Sequence, residues 1–149
     1  MSEASATAVP ALVLSRIYDV PPERVYDAWT DPNAAAKFLG PGNVKCVDIT
    51  MDVRAGGTYS LVMVLENGER LPVRGVYREV QRPRRLSMTW RWEEDNPAEE
   101  HDTLLSLDFH DRGGKTELVL THEQFTSAES RSNHEGGWNA ILDQLSEVL

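Results

Sequence analysis

Cysteine is almost missing from this sequence of 149 residues. Cys46 is the one cysteine, so no disulfide can form within the chain and no zinc site can be built from cysteines. No apolar run approaches the length of a membrane-spanning helix. The first nine residues also lack the basic start and apolar core of a signal peptide. These absences together predict a cytoplasmic protein.

Positive charge is in short supply as well. The chain has 15 Lys and Arg against 24 Asp and Glu, for a formal net charge of -9. Nucleic-acid-binding domains carry a basic face, and docking on anionic lipids needs basic clusters, so we expect neither partner. One group of arginines surrounds a proline, and we interpret it as a solvated turn. Its members are Arg78, Arg82, Arg84 and Arg85.

The sequence also lacks motifs for metal binding and catalysis. The four histidines do not show the spacing of metal ligands; they are His101, His110, His122 and His134. Nothing marks a base and an orienting acid beside Cys46 or any serine. We interpret Gly113-Gly114 as a hairpin turn and Gly136-Gly137 as the opening of a helix, so neither pair predicts a phosphate site. We therefore predict no metal, no cofactor and no catalytic residue, while the sequence leaves open whether any chemistry takes place.

The clearest pattern that is present lies at the C-terminus, from Ser127 to Leu149. From Trp138 onward, apolar residues recur at the i, i+3, i+4 and i+7 spacing that forms one face of a helix. They are Trp138, Ile141, Leu142, Leu145 and Val148–Leu149. A terminal helix is stable only when its apolar face docks on a partner, and most of the upstream sequence predicts strands. We therefore expect the helix to pack on a curved sheet.

The rest of the chain predicts one strand, two short helices and six further strands. Residues 11–19 are rich in Leu, Val, Ile and Tyr, Pro21-Pro22-Glu23 is typical of a helix start, and Asp31 starts a second helix that ends at Phe38. Alternation of period two then predicts the six strands, with Gly75 at a point of close approach. Their approximate ranges are 47–53, 59–65, 71–80, 86–93, 103–110 and 117–124.

Within the first of these six strands, the alternation places one apolar series on a single face: Val47, Ile49, Met51 and Val53. Glycine-containing turns join most of the strands, which indicates an antiparallel sheet. The fold class is therefore α+β, with helices on one face of the sheet. We predict a disordered tail over residues 1–9 and a single domain over residues 10–149.

Six segments in register resemble a known family. They are Ser15-Arg16, Pro21–Pro32, Gly56–Tyr59, Gly75–Val80 with Pro83 and Arg85-Leu86, Leu118–Phe125, and Gly137-Trp138 with Leu142 and Leu145. The chain resembles, from about Leu12 to Leu149, the Hsp90-ATPase-activator-homologue-like branch of the START/Bet v 1 superfamily. The resemblance implies a helix-grip fold, in which an antiparallel sheet wraps around a long C-terminal helix, often with an apolar cavity between them.

Large aromatic residues and Met suggest the lining of such a cavity. The candidate ligand-binding residues are Trp29, Phe38, Met63, Tyr77, Trp90, Trp92, His122, Phe125, His134 and Trp138. His122 shares a strand face with Leu118 and Leu120, so it should point inward, whereas His134 could line the mouth from the helix. The alternative is that these aromatic residues simply fill the core and that His122 is a hydrogen-bonded core histidine.

Three functions remain open at this point. The first is binding of a small hydrophobic molecule without chemistry, which requires an open cavity. The second is a chaperone-linked or stress-response role, with Hsp90 as the partner that the resemblance implies, acting through an exposed surface. The third is a lyase, cyclase or hydrolase in the pocket, which would depend on His122. Neither the ligand nor the oligomeric state, a homodimer included, follows from the sequence.

Overall fold

The structure is a computed structural model that describes residues 9–94 and 100–149. The tail predicted for residues 1–9 therefore lies, apart from Val9, outside the described residues. One strand and two short helices come first, then six strands, then a long helix, as the sequence predicts. The elements are β1 (Leu12–Tyr18), α1 (Pro22–Thr30), α2 (Pro32–Phe38), β2 (Lys45–Met51), β3 (Thr58–Val64), β4 (Arg70–Gln81), β5 (Arg85–Trp92), β6 (Thr103–Arg112), β7 (Lys115–Glu123) and α3 (Ala128–Val148).

The strands form one antiparallel sheet with the order β1-β7-β6-β5-β4-β3-β2. Strands β2 to β7 are neighbours in the order in which they follow one another in the sequence, as expected for consecutive antiparallel strands. Strand β1 pairs with β7 at the far edge, so α1 and α2 carry the chain from one edge of the sheet to the other. The predicted α+β class and the helix-grip arrangement are confirmed.

Local signals set the starts of the helices. Pro22 occupies the first turn of α1, and the carboxylate of Asp31 accepts a hydrogen bond from the Asn33 amide at the start of α2. The Ser127 hydroxyl accepts from the Ser130 amide and caps α3. Because this cap precedes them, Gly136 and Gly137 lie more than two turns inside α3, so the prediction that they open the helix is wrong.

The apolar face of α3 packs on the inward face of the sheet. Its buried residues are Trp138, Ile141, Leu142 and Leu145. One flank of the helix is tied to β1, where the Tyr18 hydroxyl donates to the Leu142 carbonyl at 2.7 Å. The other flank is tied to the segment after α2, because the Gln144 amide donates to the Gly40 carbonyl at 2.8 Å. These two attachments fix the position of α3 relative to the sheet.

The side-chain alternation predicted for the first part of β2 is wrong at Val47. Cys46 pairs with the buried Met63 and is itself buried, so Val47 points to the opposite face. A bulge then adds one residue to β2 before Thr50 pairs with Ser60, and Asp48 takes up the extra residue with a φ of 52°. The bulge restores Met51 to the inward face, a shift that simple period-two counting does not detect.

None of the helices in the described ranges combines the length and the apolar character needed to cross a membrane.

Candidate ligand cavity

A cavity of about 310 Å³ lies between α3, the inward faces of β3 to β5 and the loop that follows α2. Its wall is almost entirely apolar. The lining residues are Pro41, Val44, Met63, Leu65, Leu71, Trp90, Trp92, Asn133, His134, Gly137, Trp138 and Ile141. The volume falls within the lower part of the range that ligand pockets occupy.

Gly137 leaves the space on the helix side of this cavity. A β-carbon built at this position would have one neighbour within 4 Å, the Pro41 ring carbon at 3.9 Å. A larger side chain here would therefore extend into the cavity rather than into the packed core. The adjacent Gly136 is exposed and does not line the cavity, so the two glycines of α3 differ in what they face.

The structure brings half of the predicted site residues onto the cavity wall. These are Met63, Trp90, Trp92, His134 and Trp138. The other five are buried in the core away from the wall: Trp29, Phe38, Tyr77, His122 and Phe125. Trp29, for example, packs its ring against Phe38 at 5.1 Å and against the back of the cavity at Trp138.

Seven lining residues were not predicted from the sequence. They are Pro41, Val44, Leu65, Leu71, Asn133, Gly137 and Ile141. Leu65 and Leu71 flank the β3–β4 turn, and Ile141 belongs to the apolar face of α3, so strand alternation and helical spacing could have identified these three. Pro41, Val44 and Asn133 carry no such signal, because their place depends on how the loop and the helix meet.

Three tryptophans form a continuous aromatic wall. The ring centroids of Trp90 and Trp92 are 5.9 Å apart with planes at 81°, and those of Trp90 and Trp138 are 5.1 Å apart with planes at 59°. These are the edge-to-face and tilted contacts that aromatic pairs favour. The rings therefore pack on one another and present one apolar surface to the cavity.

The Trp138 indole is hydrogen-bonded behind this wall by His122, which is fully buried. Trp138 Nε1 donates to His122 Nδ1 at 2.9 Å, and His122 Nε2 lies 2.6 Å from the Thr103 hydroxyl. An indole can only donate, so Nδ1 accepts and the imidazole proton resides on Nε2. Thr103 in turn donates to the Trp90 carbonyl at 2.8 Å. Both nitrogens of His122 are therefore occupied, as the hydrogen-bonded core histidine requires.

His134 makes a similar pair at the cavity wall. Trp92 Nε1 donates to His134 Nε2 at 2.9 Å, and His134 Nδ1 donates to the Ser130 carbonyl at 2.8 Å. The two imidazole rings lie close together, with centroids 4.9 Å apart. The indole nitrogens of Trp92 and Trp138 are thus hydrogen-bonded within the protein, and so are both ring nitrogens of their partners His134 and His122.

Burial keeps both histidines uncharged at neutral pH. It lowers the pKa of His122 to about 3, with a smaller contribution from the neighbouring His134. The pKa of His134 is also lowered by burial, an effect that its bond to the Ser130 carbonyl partly offsets. Protonation of His122 at Nδ1 would also break the hydrogen bond that this nitrogen accepts from Trp138. An acid–base role near neutral pH is therefore unfavourable for His122.

A model of the family described as "Activator of Hsp90 ATPase homolog 1-like protein" matches residues 19–149. The chain belongs to this family. The resemblance noted in the sequence, which extends a few residues further toward the N-terminus, is therefore confirmed. No curated protein matches the chain significantly.

Solved structures of related proteins share the fold of this family member. Protein CV1439 from Chromobacterium violaceum is 27% identical, with a TM-score of 0.84 over 95% of this chain and 98% of the other. The AHSA1 protein from Silicibacter pomeroyi is 26% identical, with a TM-score of 0.82 over 93% and 96% of the two chains. The helix-grip arrangement therefore extends over the described domain as it does in these proteins.

The depressed pKa of His122 predicts that acid destabilises this AHSA1-family protein. Between about pH 6.5 and pH 3 the unfolded chain binds a proton on His122 that the folded chain does not. Stability from this group is therefore complete well above pH 6.5 and falls as the pH drops, with a slope that approaches about 1.4 kcal/mol per pH unit below about pH 6. Urea unfolding at pH 7, 6 and 5 measures this slope.

The ring protons of His122 provide an independent check by NMR. We expect their chemical shifts to stay constant from pH 8 to pH 5 in the folded protein, because the ring remains neutral. A titration of His122 centred near pH 6.5 would contradict the buried, doubly bonded arrangement.

Proposed function

We propose that this protein binds a small hydrophobic molecule in the cavity between α3 and the sheet. The observation that supports this most strongly is an unfilled space of about 310 Å³, whose described wall residues include three tryptophans and no charged side chain. Apolar side chains that face an unfilled space lack packing partners there, and an apolar ligand would supply those contacts. Ligand pockets are typically apolar and lined by aromatic side chains, as here.

The hydrogen bonds that hold the segments around the cavity favour a site that is preformed before the ligand binds. The side chain of Gln144 bonds three backbone groups at the end of α2 and just after it: the carbonyls of Phe38 and Gly40, and the N–H of Gly42. Across the mouth, the side-chain amide of Asn43 donates to the Glu66 carboxylate at 2.7 Å and links this segment to the β3–β4 turn. A preformed site loses little conformational entropy on binding, which increases affinity.

A pair of variants at the two helix glycines tests the proposal. The probe is N-phenyl-1-naphthylamine, an uncharged dye whose emission rises in apolar surroundings. We expect saturable binding to the wild type, and at least about tenfold weaker binding to Gly137→Leu, because the leucine side chain would occupy the cavity. Gly136→Leu adds the same group on the exposed side of α3 and should bind as the wild type does. Fluorescence titration measures all three affinities.

Thermal melting provides the second readout of the same experiment. A ligand that binds the folded state alone raises the melting temperature with concentration. We expect this rise for the wild type and for Gly136→Leu, and a much smaller one for Gly137→Leu. Equal binding by the two variants would place the dye elsewhere and remove the support for the cavity as the site.

Contact with Hsp90 is the alternative proposal, and the family description is what supports it. It would use an exposed surface, so it would survive Gly137→Leu and would appear as saturable binding to purified Hsp90. A pocket enzyme is the least supported possibility, because His122 has no free nitrogen to exchange a proton with a substrate. A cytoplasmic location stays a prediction from the sequence, and a homodimer stays one possible oligomeric state.

A further inference from the structure

The cavity wall contains no Asp, Glu, Lys or Arg among its described residues. Its one ionisable side chain is His134, whose pKa is lowered by burial, so the wall is uncharged at neutral pH. A charged ligand would lose its hydration on entry and find no opposite charge to compensate for that loss. Carboxylates are opposed further by the formal net charge of -9 on the whole chain.

A cation could in principle bind the aromatic rings, and the net charge would attract it. A cation–π site places the cation over a ring face, within about 6 Å of the centroid, and a cage surrounds it with several faces. Here the rings of Trp90 and Trp138 are only 5.1 Å apart and the ring of Trp92 is 5.9 Å from that of Trp90. Rings that pack on one another leave no room for a cation between them, so they form a wall and not a cage.

The polar groups on this wall are already bonded, with one accessible exception. The indole nitrogens of Trp92 and Trp138 donate to histidines, and His134 also bonds to the Ser130 carbonyl. Trp90 Nε1 has no partner in the described part of the chain, but it is enclosed by protein atoms. Asn133 is exposed at the edge of the cavity, and its carboxamide makes no bond to another described residue.

The size of the space limits the ligand as well. An apolar cavity of about 150 Å³ is enough to bind benzene. The space of about 310 Å³ is roughly twice as large and suits two or three fused rings. The aromatic wall of Trp90, Trp92 and Trp138 favours flat ring systems over flexible chains, because rings lose less conformational entropy and pack on indoles.

We infer that the cavity selects uncharged molecules with a body of two or three fused rings and one neutral hydroxyl or carbonyl group, which bonds to the Asn133 carboxamide at the mouth. This inference rests on the proposed function. It excludes fatty acids, aromatic carboxylates and quaternary amines as ligands. It also assigns an orientation, since the apolar end of the molecule lies against the tryptophans and the polar end faces the solvent.

Four matched compounds test the selection by charge: naphthalene, 2-naphthol, 2-naphthoate and 2-naphthyl-trimethylammonium. Their dissociation constants are measured with the intact protein at pH 7.5 by isothermal titration calorimetry. We expect 2-naphthol to bind about three- to tenfold more tightly than naphthalene, the effect of one hydrogen bond. The naphthoate and the ammonium compound should bind at least about 100-fold more weakly than 2-naphthol.

Two neighbouring variants test the role of Asn133. Asn133→Ala should remove the advantage of 2-naphthol over naphthalene and leave the affinity for naphthalene unchanged. Ser132→Ala is the matched control, because Ser132 is exposed on α3 and does not line the cavity. It should leave both affinities unchanged. A general loss of structure would weaken both compounds together, so the ratio of the two affinities isolates the hydrogen bond.

The outcomes separate the two proposals. If the charged compounds bind as tightly as 2-naphthol, the inference is wrong while the ligand-binding function stands. If Asn133→Ala keeps the full advantage of 2-naphthol, the assigned orientation is wrong. If neither naphthalene nor 2-naphthol binds, the proposed function fails and the inference fails with it.

Discussion

Replacement of Trp138 by alanine is expected to destabilise the fold by about 3–5 kcal/mol. Trp138 is 2% exposed and packs against Trp29 and Trp90, so its loss would leave a large cavity beneath α3. It would also leave His122 Nδ1 buried without its hydrogen-bond donor. Urea unfolding monitored by circular dichroism measures the change, since the fluorescence signal itself would be altered.

Trp138→Phe separates packing from hydrogen bonding. The phenyl ring retains most of the buried apolar surface but cannot donate to His122, so we expect a loss of about 1–3 kcal/mol. Glu147→Ala is the control, because Glu147 is exposed on the same helix and such changes stay within about 0.5 kcal/mol. A Trp138→Ala variant as stable as the wild type would show that the apolar face of α3 does not hold the fold together.

The sequence predicts this helix well because its signals are local. The i, i+3, i+4 spacing from Trp138 to Leu145 encodes the face that packs on the sheet, and Ser127 is a typical N-cap. The position of Gly136-Gly137 was misjudged because glycine is unfavourable inside a helix. Tertiary packing of the apolar face overrides this local preference. Gly137 lines the cavity and Gly136 is exposed, so the pair does not mark the start of the helix.

The inward direction of His122 was also predictable, but its partners were not. Strand alternation with Leu118 and Leu120 gives the direction. Thr103 lies on the neighbouring strand β6 and Trp138 on α3, and their bonds to His122 depend on strand register and helix placement. Counting alternate residues along one strand gives neither the strand register nor the placement of the helix. The neutral state of the imidazole therefore emerges only from the assembled structure.

The cavity was the hardest feature to predict, because a wall and a core can use the same residue types. Aromatic size alone placed Trp29, Phe38 and Trp90 in one group, yet only Trp90 reaches the open space. What separates them is the course of the segment after α2, which Gln144 fastens to α3. The absence of a side chain at Gly137 also shapes the cavity, and the amino-acid composition does not reveal this.

Among alanine replacements of glycine, Gly75→Ala is expected to be severely destabilising, by about 3 kcal/mol or more. Gly75 pairs with Tyr59, whose ring lies over it and whose hydroxyl donates to the Thr89 carbonyl. A methyl group at Gly75 would overlap both that carbonyl oxygen and the tyrosine ring. The carbonyl belongs to the backbone of β5 and cannot move without disturbing the centre of the sheet.

Gly136→Ala is the matched comparison and should change stability in the opposite direction. Apart from the helix's own backbone and the chain neighbours, no described atom lies within 4 Å of a β-carbon at Gly136. Alanine is favoured over glycine inside a helix by about 0.5–1 kcal/mol. Both substitutions restrict the unfolded chain in the same way, so their difference reports on the folded state. Urea unfolding of the two variants measures it. Two variants of equal stability would contradict the close approach of β5 to Gly75 and the helical position of Gly136 together.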